Sequence, residues 1–292
     1  MILVLGAAGM IGHQVWKKLA ELYPEQVFGT LKQPVSKYSQ FNLFDESKMI
    51  SGLNVMDYPS VESVLNKIKP QWVINCIGIT LRQAEAGDLE KCIELNSMLP
   101  HRLEKWAQNN QAKVIHFSTD CVFDGQKGNY KEEDTPTSKD IYGKTKYLGE
   151  IDGVNALTLR LSFFGRELEK KTEIVEWLLA QKGKKVKGYA NAFYSGVSTI
   201  RVANEVAKII QKHPRLHGLY HLSSKPISKY DLLILLNEAF NTHVEIEKFE
   251  NAKNDKSLNS SAYSKETSFT PPEWKEMIQE LATDTSVRYE RY

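Results

Sequence analysis

The stretch MILVLGAAGMIG, residues 1–12, decides how this chain folds. An apolar run from Ile2 to Leu5 precedes three glycines, and the amphipathic stretch HQVWKKLAELY follows them. This order predicts a buried strand, a tight turn and a helix start. Glycines in such a turn let the backbone approach a pyrophosphate, whose charge the free N–H groups of the helix start stabilise. The GxxGxxG spacing of Gly6, Gly9 and Gly12 differs from the commoner GxGxxG fingerprint but uses the same physics.

Composition restricts the class of protein. A chain of 292 residues with 41% hydrophobic residues suits one large α/β domain, or one domain with a smaller lobe. The net charge is only +2 and the lysines are scattered, so we expect no nucleic-acid partner and no binding to a membrane surface. The 3 cysteines and 7 histidines lack metal-ligand spacing, so no metal site is expected. No run resembles a signal peptide or a membrane span, which predicts a cytoplasmic protein.

The first part of the chain alternates strands and helices. Predicted strands cover 2–5, 26–30, 53–56, 71–77, 112–117 and 156–161. Predicted helices cover 57–68, 88–109 and 142–150, and Pro100 predicts a kink in the second of them. This alternation predicts an α/β fold, a Rossmann-type doubly wound parallel sheet covered on both faces.

The pattern loosens beyond residue 165. Helices are predicted over 174–180, 202–210, 230–240 and 274–281, a strand over 219–222, and a long loop over 250–268. Ser228 is the expected N-cap of the third of these helices. We therefore divide the chain into a dinucleotide-binding Rossmann domain, residues 1–165, and a smaller C-terminal lobe, residues 166–292, interleaved with the sheet.

The end of the second predicted strand bears on the choice of cofactor. An acidic residue there would bond the adenosine ribose hydroxyls and favour NAD(H). This chain has Thr30, Leu31 and Lys32 instead, and a hydroxyl with a cation suits a ribose 2′-phosphate. We expect NADP(H) to be preferred, with NAD(H) as the second choice. The alternative is that Lys32 is an ordinary surface lysine.

Tyr142 and Lys146 are the strongest candidates for chemistry. They stand four residues apart in YGKTK, so both side chains lie on one helix face. A lysine cation beside a phenol lowers the phenol's pKa and lets it exchange a proton with a carbonyl or an alcohol. The strand ending in HFSTDCVF adds the hydroxyls of Ser118 and Thr119 at the sheet edge where such folds bind ligands. An unrelated surface pair is the alternative.

Three segments in this order, GAAGMIG, FSTDCVFDG and YGKTKYLGE, resemble the extended short-chain dehydrogenase/reductase superfamily. Within it, the second and third segments are similar to the dTDP-4-dehydrorhamnose reductase family. The resemblance is strong over residues 1–165 and weaker beyond, where it implies a mainly substrate-binding lobe.

The resemblance also implies roles for single residues. Tyr142 would protonate a sugar ketone, Lys146 would hold the nicotinamide ribose and lower the pKa of Tyr142, and Thr119 would hydrogen-bond the same ketone. Ser118 takes that place if the register shifts by one, and Asp120 falls near the sugar. The cofactor-binding set also comprises Gly6, Gly9, Met10, Ile11, Gly12, Asn54, Val55, Cys76, Ile77, Gly78, Asn96 and Ser118.

The substrate side departs from the family pattern. RLSFFG carries Phe163 where the family has larger polar aromatics, so this ring either stacks on a sugar or a base or packs in the core. Tyr194 and Ser195, in YANAFYSGVST, are further substrate candidates, and Arg201 either pairs with a diphosphate or lies on a helix surface. The sequence therefore does not identify the sugar.

The leading hypothesis is an NADP(H)-preferring reductase of a nucleotide-linked 4-keto-6-deoxysugar, with hydride delivered to C4 and Tyr142 as proton donor. Such a protein can act as a homodimer. One alternative is a nucleotide-sugar epimerase or dehydratase, although Cys121 stands after Asp120 where a dehydratase usually has glutamate. The other is a non-catalytic regulatory subunit that binds NADP and a partner enzyme.

Overall fold

The N-terminal apolar run forms an interior strand of a parallel sheet in the computed structural model, which describes residues 1–82 and 87–289. The strands are β1 (Ile2–Leu5), β2 (Val27–Leu31), β3 (Met49–Ser51), β4 (Trp72–Asn75), β5 (Lys113–Thr119), β6 (Ala156–Leu161), β7 (Phe163–Phe164), β8 (Lys185–Tyr189), β9 (Ala192–Tyr194), β10 (Val197–Ser198), β11 (Gly218–His221), β12 (Ile227–Ser228), β13 (Glu245–Phe249) and β14 (Asn254–Asp255). The main sheet has 7 strands in the order β11-β6-β5-β4-β1-β2-β3, and all neighbours are parallel. The strand order reverses between β1 and β4, which is where such sheets bind ligands.

Helices cover both faces of this sheet. The α-helices are α1 (Gly12–Leu22), α2 (Tyr58–Ile68), α3 (Leu89–Cys92), α4 (Leu99–Asn109), α5 (Ile141–Leu148), α6 (Ile174–Leu179), α7 (Thr199–Lys212), α8 (Lys229–Phe240), α9 (Ser261–Thr267) and α10 (Trp274–Thr283). Short 3₁₀ segments lie at Val35–Phe41, Glu46–Lys48 and Asp120–Val122, and a π-helical segment, Ile93–Met98, joins α3 to α4. The irregular helical turn thus falls just before Pro100, whose missing N–H cannot complete the usual hydrogen-bond ladder.

Burial on both faces explains why β1 is continuously apolar. Ile2 and Val4 belong to the core on the α1 side, whereas Leu3 and Leu5 belong to the core beneath α2 and α4. Successive side chains in a strand point to opposite faces, so a sheet covered on both sides needs apolar residues at every position. The predicted doubly wound α/β sheet is confirmed.

The C-terminal part adds small sheets and a strand of the main sheet. β8 pairs with β13, while β9 pairs with β12 and β14. Because β11 lies at the edge of the main sheet next to β6, residues beyond 165 contribute to the main sheet as well as to the small sheets. The division at residue 165 stays a prediction, and residues 290–292 of the predicted lobe lie outside the described residues. The Ser228 hydroxyl accepts from the Asp231 N–H at 3.0 Å, which confirms the expected N-cap.

Two predicted elements are wrong. The third strand lies at Met49–Ser51 rather than 53–56, since Gly52 has a positive φ of 74° and turns the chain there. Leu53 lies beyond β3: its side chain is buried in the core, and its N–H donates to the Leu31 carbonyl at the end of β2 at 3.2 Å. The loop predicted over 250–268 contains β14 and α9, because Tyr263 is fully buried and anchors an otherwise polar helix.

The start of α1 depends on a close approach between two glycines. Gly6 has φ of 76°, and its carbonyl accepts from the Gly9 N–H at 3.0 Å. A Cβ placed on Gly12 would lie 2.1 Å from the Gly6 oxygen. Only glycine therefore allows α1 to begin directly above the end of β1.

We expect Gly12→Ala to lower the free energy of unfolding by about 1–3 kcal/mol, because the added methyl overlaps a backbone oxygen. Alanine ordinarily stabilises a helix by up to ~1 kcal/mol relative to glycine, so the sign of the change tests the clash. Urea denaturation measures it. The matched control, Gly87→Ala, meets no atom within 4 Å and should stay within about 0.5 kcal/mol of the wild type. Equal stability of Gly12→Ala and the wild type contradicts the prediction.

Candidate active site

A cavity of roughly 650 Å³ opens at the carboxyl ends of β1, β2 and β4. It lies at the reversal of strand order, and the glycine turn forms one of its walls. The expected cofactor residues that line it are Gly6, Gly9, Met10, Ile11, Thr30, Leu31, Lys32, Asn54, Val55, Cys76, Ile77 and Gly78. Motifs distant in the sequence therefore meet around one space of a size that suits a large ligand.

Two backbone hydrogen bonds tie the glycine turn to β2. The Gly6 N–H donates to the Thr30 hydroxyl at 3.0 Å, and the Ala7 N–H donates to the Thr30 carbonyl at 3.0 Å. Thr30 was expected to offer its hydroxyl to a ribose phosphate, but that oxygen is already an acceptor for the turn. Lys32 is exposed at the cavity wall and carries a cation there.

Part of the lining was not expected from the sequence. A segment from the lobe covers one side of the cavity, and Tyr38 donates to Glu169 of that segment at 3.3 Å. The acidic and polar residues it contributes are Glu167, Glu169, Lys170, Thr172 and Glu173. No short motif marks this segment, so only the fold reveals it.

Asn96 supports the cavity wall from behind. Its Oδ1 accepts from the Ile79 N–H at 2.8 Å, while its Nδ2 donates to the Ile79 carbonyl at 3.2 Å and to the Thr145 hydroxyl at 3.2 Å. A Cβ on Gly78 would lie 3.3 Å from Asn96 Oδ1 and 3.8 Å from Lys146 Nζ. Asn96 thus joins the wall to α5, and neither Asn96 nor Gly12 is among the residues that line the cavity.

The carboxyl end of β5 meets the first turn of α5. The Asp140 side chain caps α5 by accepting from the Gly143 N–H at 2.7 Å. Tyr142 follows the cap, and its phenol lies beside the Thr119 side chain. The Thr119 hydroxyl also donates to Asp120 at 3.2 Å. A phenol, a hydroxyl and a carboxyl therefore converge at the carboxyl end of β5, although none of these three residues is among those that line the cavity.

Burial determines the protonation state of the Tyr142 phenol. It raises the pKa of Tyr142 above the ordinary tyrosine value, although the neighbouring Thr119 side chain acts in the opposite direction. The pKa of Tyr142 is therefore raised, not lowered by Lys146 as the sequence predicted. The Lys146 amine is directed instead at the Phe117 carbonyl, 2.7 Å away, and burial lowers the pKa of Lys146 to about 8.

Ser118 faces away from Tyr142 and serves another purpose. Its hydroxyl donates to Glu150 Oε1 at 2.6 Å, and Arg160 forms two bonds to the same carboxylate at 2.7 and 2.6 Å. All three side chains are almost completely buried. Thr119 is therefore the hydroxyl that the fold brings to the phenol, since neighbouring residues in a strand point to opposite faces.

The substrate candidates are placed unequally. Phe163 lines the cavity. Tyr194 is buried near Asp120, whose negative charge raises the pKa of the Tyr194 phenol beyond the effect of burial. Within residues 1–82 and 87–289 the Tyr194 hydroxyl has no hydrogen-bond partner. Burial raises the pKa of Asp120.

Two other substrate candidates hold the lobe together. The Ser195 hydroxyl accepts from the Leu258 N–H at 2.8 Å. Arg201 donates to Glu280 at 2.8 Å and lies 3.6 Å from Glu276, so it joins α7 to α10. Neither residue lines the cavity, and the pairing of Arg201 with a diphosphate is not what the structure shows, because two carboxylates already surround the guanidinium.

The part of the chain that the structure describes holds neither a metal-ligand cluster nor a membrane-spanning helix. No group of three or more histidine, cysteine, aspartate or glutamate side chains could hold a metal ion there. Across the described ranges, every helix is too short or too polar to span a bilayer.

Comparison with known proteins places this geometry in a family. The family model described as the RmlD substrate binding domain matches residues 1–287. Methionine adenosyltransferase 2 subunit beta of Pongo abelii is 25% identical over 252 residues, which cover 82% of this chain and 72% of that protein. Spore coat polysaccharide biosynthesis protein SpsK of Bacillus subtilis (strain 168) is 24% identical over 300 residues, covering 98% of both chains.

The fold is also that of a solved reductase. The structure of dTDP-4-dehydrorhamnose reductase from Bacillus anthracis in complex with NADP superposes with a TM-score of 0.78 at 21% identity, covering 97% of this chain and 99% of that one. Because the family model spans nearly the whole described chain and the sheet, glycine turn and Tyr142 helix have the expected arrangement, the chain belongs to the RmlD substrate binding domain family, within the extended short-chain dehydrogenases/reductases.

Proposed function

We propose that this protein is an NADP(H)-preferring reductase that delivers hydride to C4 of a nucleotide-linked 4-keto-6-deoxysugar. The observation that carries the proposal is the Tyr142 phenol beside Thr119, one helical turn from Lys146, whose Nζ lies 3.8 Å from the position of a Cβ on Gly78 in the cavity wall. The B. anthracis structure that shares the fold is a dTDP-4-dehydrorhamnose reductase in complex with NADP, and SpsK is named for polysaccharide biosynthesis. Both names agree with a sugar substrate.

The cavity fits a nicotinamide dinucleotide. Gly6 and Gly9 line the cavity beside the start of α1, where a backbone without side chains would let a pyrophosphate approach. At the far wall, Lys32 offers a cation to a ribose 2′-phosphate, and the residues that end β2 carry no carboxylate. Lys146 would bond the ribose hydroxyls next to the nicotinamide.

The residues then divide the chemistry between them. The bound nicotinamide supplies the hydride, and the protein supplies position and a proton. Tyr142, kept neutral by burial, donates its phenolic proton to the ketone oxygen as negative charge develops on it. Thr119 would turn its hydroxyl proton from Asp120 toward the same oxygen and hydrogen-bond it. Asp120 and the Tyr194 phenol, which has no hydrogen-bond partner among the described residues, would bind hydroxyl groups of the sugar.

Replacing Tyr142 by phenylalanine tests the proton donor. We expect Tyr142→Phe to lower the turnover number by about 10²–10⁴-fold, the usual contribution of a general acid, with little change in NADPH affinity. NADPH oxidation with a dTDP-4-keto-6-deoxysugar measures turnover, and fluorescence titration measures binding. Tyr147→Phe is the matched control, because Tyr147 lies on the same helix with its side chain 46% exposed. Unchanged turnover in Tyr142→Phe contradicts the assignment.

A charge reversal at Lys32 tests the cofactor preference. Lys32→Glu should weaken NADPH binding at least about tenfold and change NADH binding much less, because only NADPH carries the 2′-phosphate. Dissociation constants for both cofactors measure the effect, with Lys265→Glu on α9 as an exposed control. An equal loss for both cofactors shows that Lys32 does not contact the 2′-phosphate.

The pKa of Lys146, about 8, predicts a pH dependence of cofactor binding. The amine is charged below this pH and neutral above it, so its bond to ribose hydroxyls weakens as the pH rises. NADPH affinity should fall several-fold between about pH 7 and about pH 9.5, and the fall should be absent in Lys146→Met. An identical pH dependence in Lys146→Met and in the wild type attributes the fall to another group.

A regulatory subunit is the second candidate, because seven relatives, at 24–26% identity, are named methionine adenosyltransferase 2 subunit beta. Absence of turnover with every 4-ketosugar nucleotide, together with tight binding to a methionine adenosyltransferase, would favour that function over catalysis. The epimerase or dehydratase alternative is disfavoured at Cys121. Burial raises the pKa of that thiol to about 12, so it does not replace the carboxylic acid that a dehydratase uses.

A further inference from the structure

Three buried side chains form a hydrogen-bonded row behind the cavity wall. Asn75 Nδ2 lies 3.1 Å from His116 Nδ1, and His116 Nε2 lies 3.3 Å from Lys146 Nζ. The exposed fractions of the three residues are 1%, 0% and 5%, so water does not compete for these bonds. The row crosses from β4 through β5 to α5 and ends on the amine of the candidate active site.

A backbone contact fixes one end of the row. The Ile77 N–H donates to Asn75 Oδ1 at 3.2 Å, which directs the amide nitrogen of Asn75 at His116. An amide nitrogen only donates, so His116 Nδ1 must accept. Burial, with Lys146 and His101 nearby, holds the pKa of His116 well below its usual value, so the imidazole is neutral. A neutral imidazole with a bare Nδ1 carries its proton on Nε2.

The proton on Nε2 points at an amine. A lysine ammonium has three donors and no acceptor, so a charged Lys146 would oppose this N–H with another N–H. A neutral amine has a lone pair that accepts it, and one of its hydrogens still reaches the Phe117 carbonyl at 2.7 Å. The described hydrogen-bond pattern is therefore that of uncharged Lys146.

We propose that His116 is a positioning residue for Lys146, and that the hydrogen bond between imidazole and amine reverses direction when the amine gains a proton. The added proton comes from solvent, and the imidazole stays neutral while its own proton moves from Nε2 to Nδ1. Asn75 must then turn its oxygen toward His116, which takes the acceptor away from the Ile77 N–H. Because Ile77 lines the cavity, the charge on Lys146 is linked to the cavity wall.

Other ionisable groups face the pair from the surrounding elements. The charge of Glu150, at the end of α5, raises the pKa of Lys146, although burial lowers it more. On α4, His101 adds to the lowering of the His116 pKa, and its Nε2 donates to the Leu148 carbonyl at 2.8 Å. On α5 itself, Tyr142 precedes Lys146 by one turn. Only His116 contacts the amine through a ring nitrogen in the part of the chain that the structure describes.

Titration of Lys146 in the apoprotein tests the proposal directly. NMR of protein labelled at lysine Cε follows the charge of each lysine, and Lys146→Met identifies the resonance. In His116→Gln the side-chain oxygen can accept from an ammonium, so the titration midpoint should rise by about one pH unit or more. Asn75→Leu removes the donor to Nδ1 and should raise it as well. His101→Gln is the control and should leave it unchanged. A midpoint that is the same in the wild type, His116→Gln and Asn75→Leu overturns the proposal.

A second measurement uses only the wild-type protein, so it does not depend on whether a variant folds. Nitrogen NMR of histidine-labelled wild-type protein reports which ring nitrogen carries the proton. At about pH 9.5, where Lys146 is neutral, His116 should be protonated on Nε2, and at about pH 6.5 on Nδ1. If no buried histidine ring changes its tautomer between these two pH values, the proposal is overturned. Neither measurement uses cofactor or substrate. Only the meaning of the Lys146 charge for cofactor binding rests on the proposed function, so the two can fail separately.

Discussion

The contact between Gly12 and the Gly6 carbonyl is the constraint on which the site depends. With no Cβ at residue 12, helix α1 begins directly above the end of β1, next to Gly9, Met10 and Ile11 in the cavity wall. The Thr30 hydroxyl of β2 accepts a hydrogen bond from the same turn, so two neighbouring strands fix this wall of the cavity. Everything that the other motifs contribute is placed relative to this turn.

At the end of β5, the alternation of side chains gives one hydroxyl a structural role and the next a place beside the candidate catalytic tyrosine. Ser118 points into a buried cluster with Glu150 and Arg160, whereas Thr119 points to Tyr142. A buried ion pair adds little net stability, but removing one partner costs several kcal/mol, so such a pair holds its geometry firmly. The pair of Glu150 and Arg160, bonded to Ser118, therefore fixes the end of β5 from which Thr119 projects. Two adjacent hydroxyls with similar chemistry thus take different roles because of the sheet face on which each lies.

The sequence predicted the parts of the fold that local patterns determine. Apolar runs identified β1, β4, β5 and β6, because burial on both faces requires continuous apolar residues. It failed for α9, where burial of Tyr263 alone anchors a polar segment. In the site, the glycine turn and the strand ends were found from motifs. The engagement of Ser195 with Leu258 and of Arg201 with Glu280 depends on contacts between residues more than sixty positions apart, which spacing cannot reveal.

The direction of the pKa shifts also decides which reaction the site favours. A tyrosine whose pKa is lowered by a cation serves as a base for alcohol oxidation, whereas a neutral phenol serves as an acid for ketone reduction. Burial keeps the Tyr142 phenol neutral and also lowers the pKa of Lys146 to about 8, so both groups move toward their uncharged forms. The proposed reduction needs the first of these forms. It also needs the cation of Lys146 for the ribose, which links the state of the amine, and hence of His116 behind it, to cofactor binding.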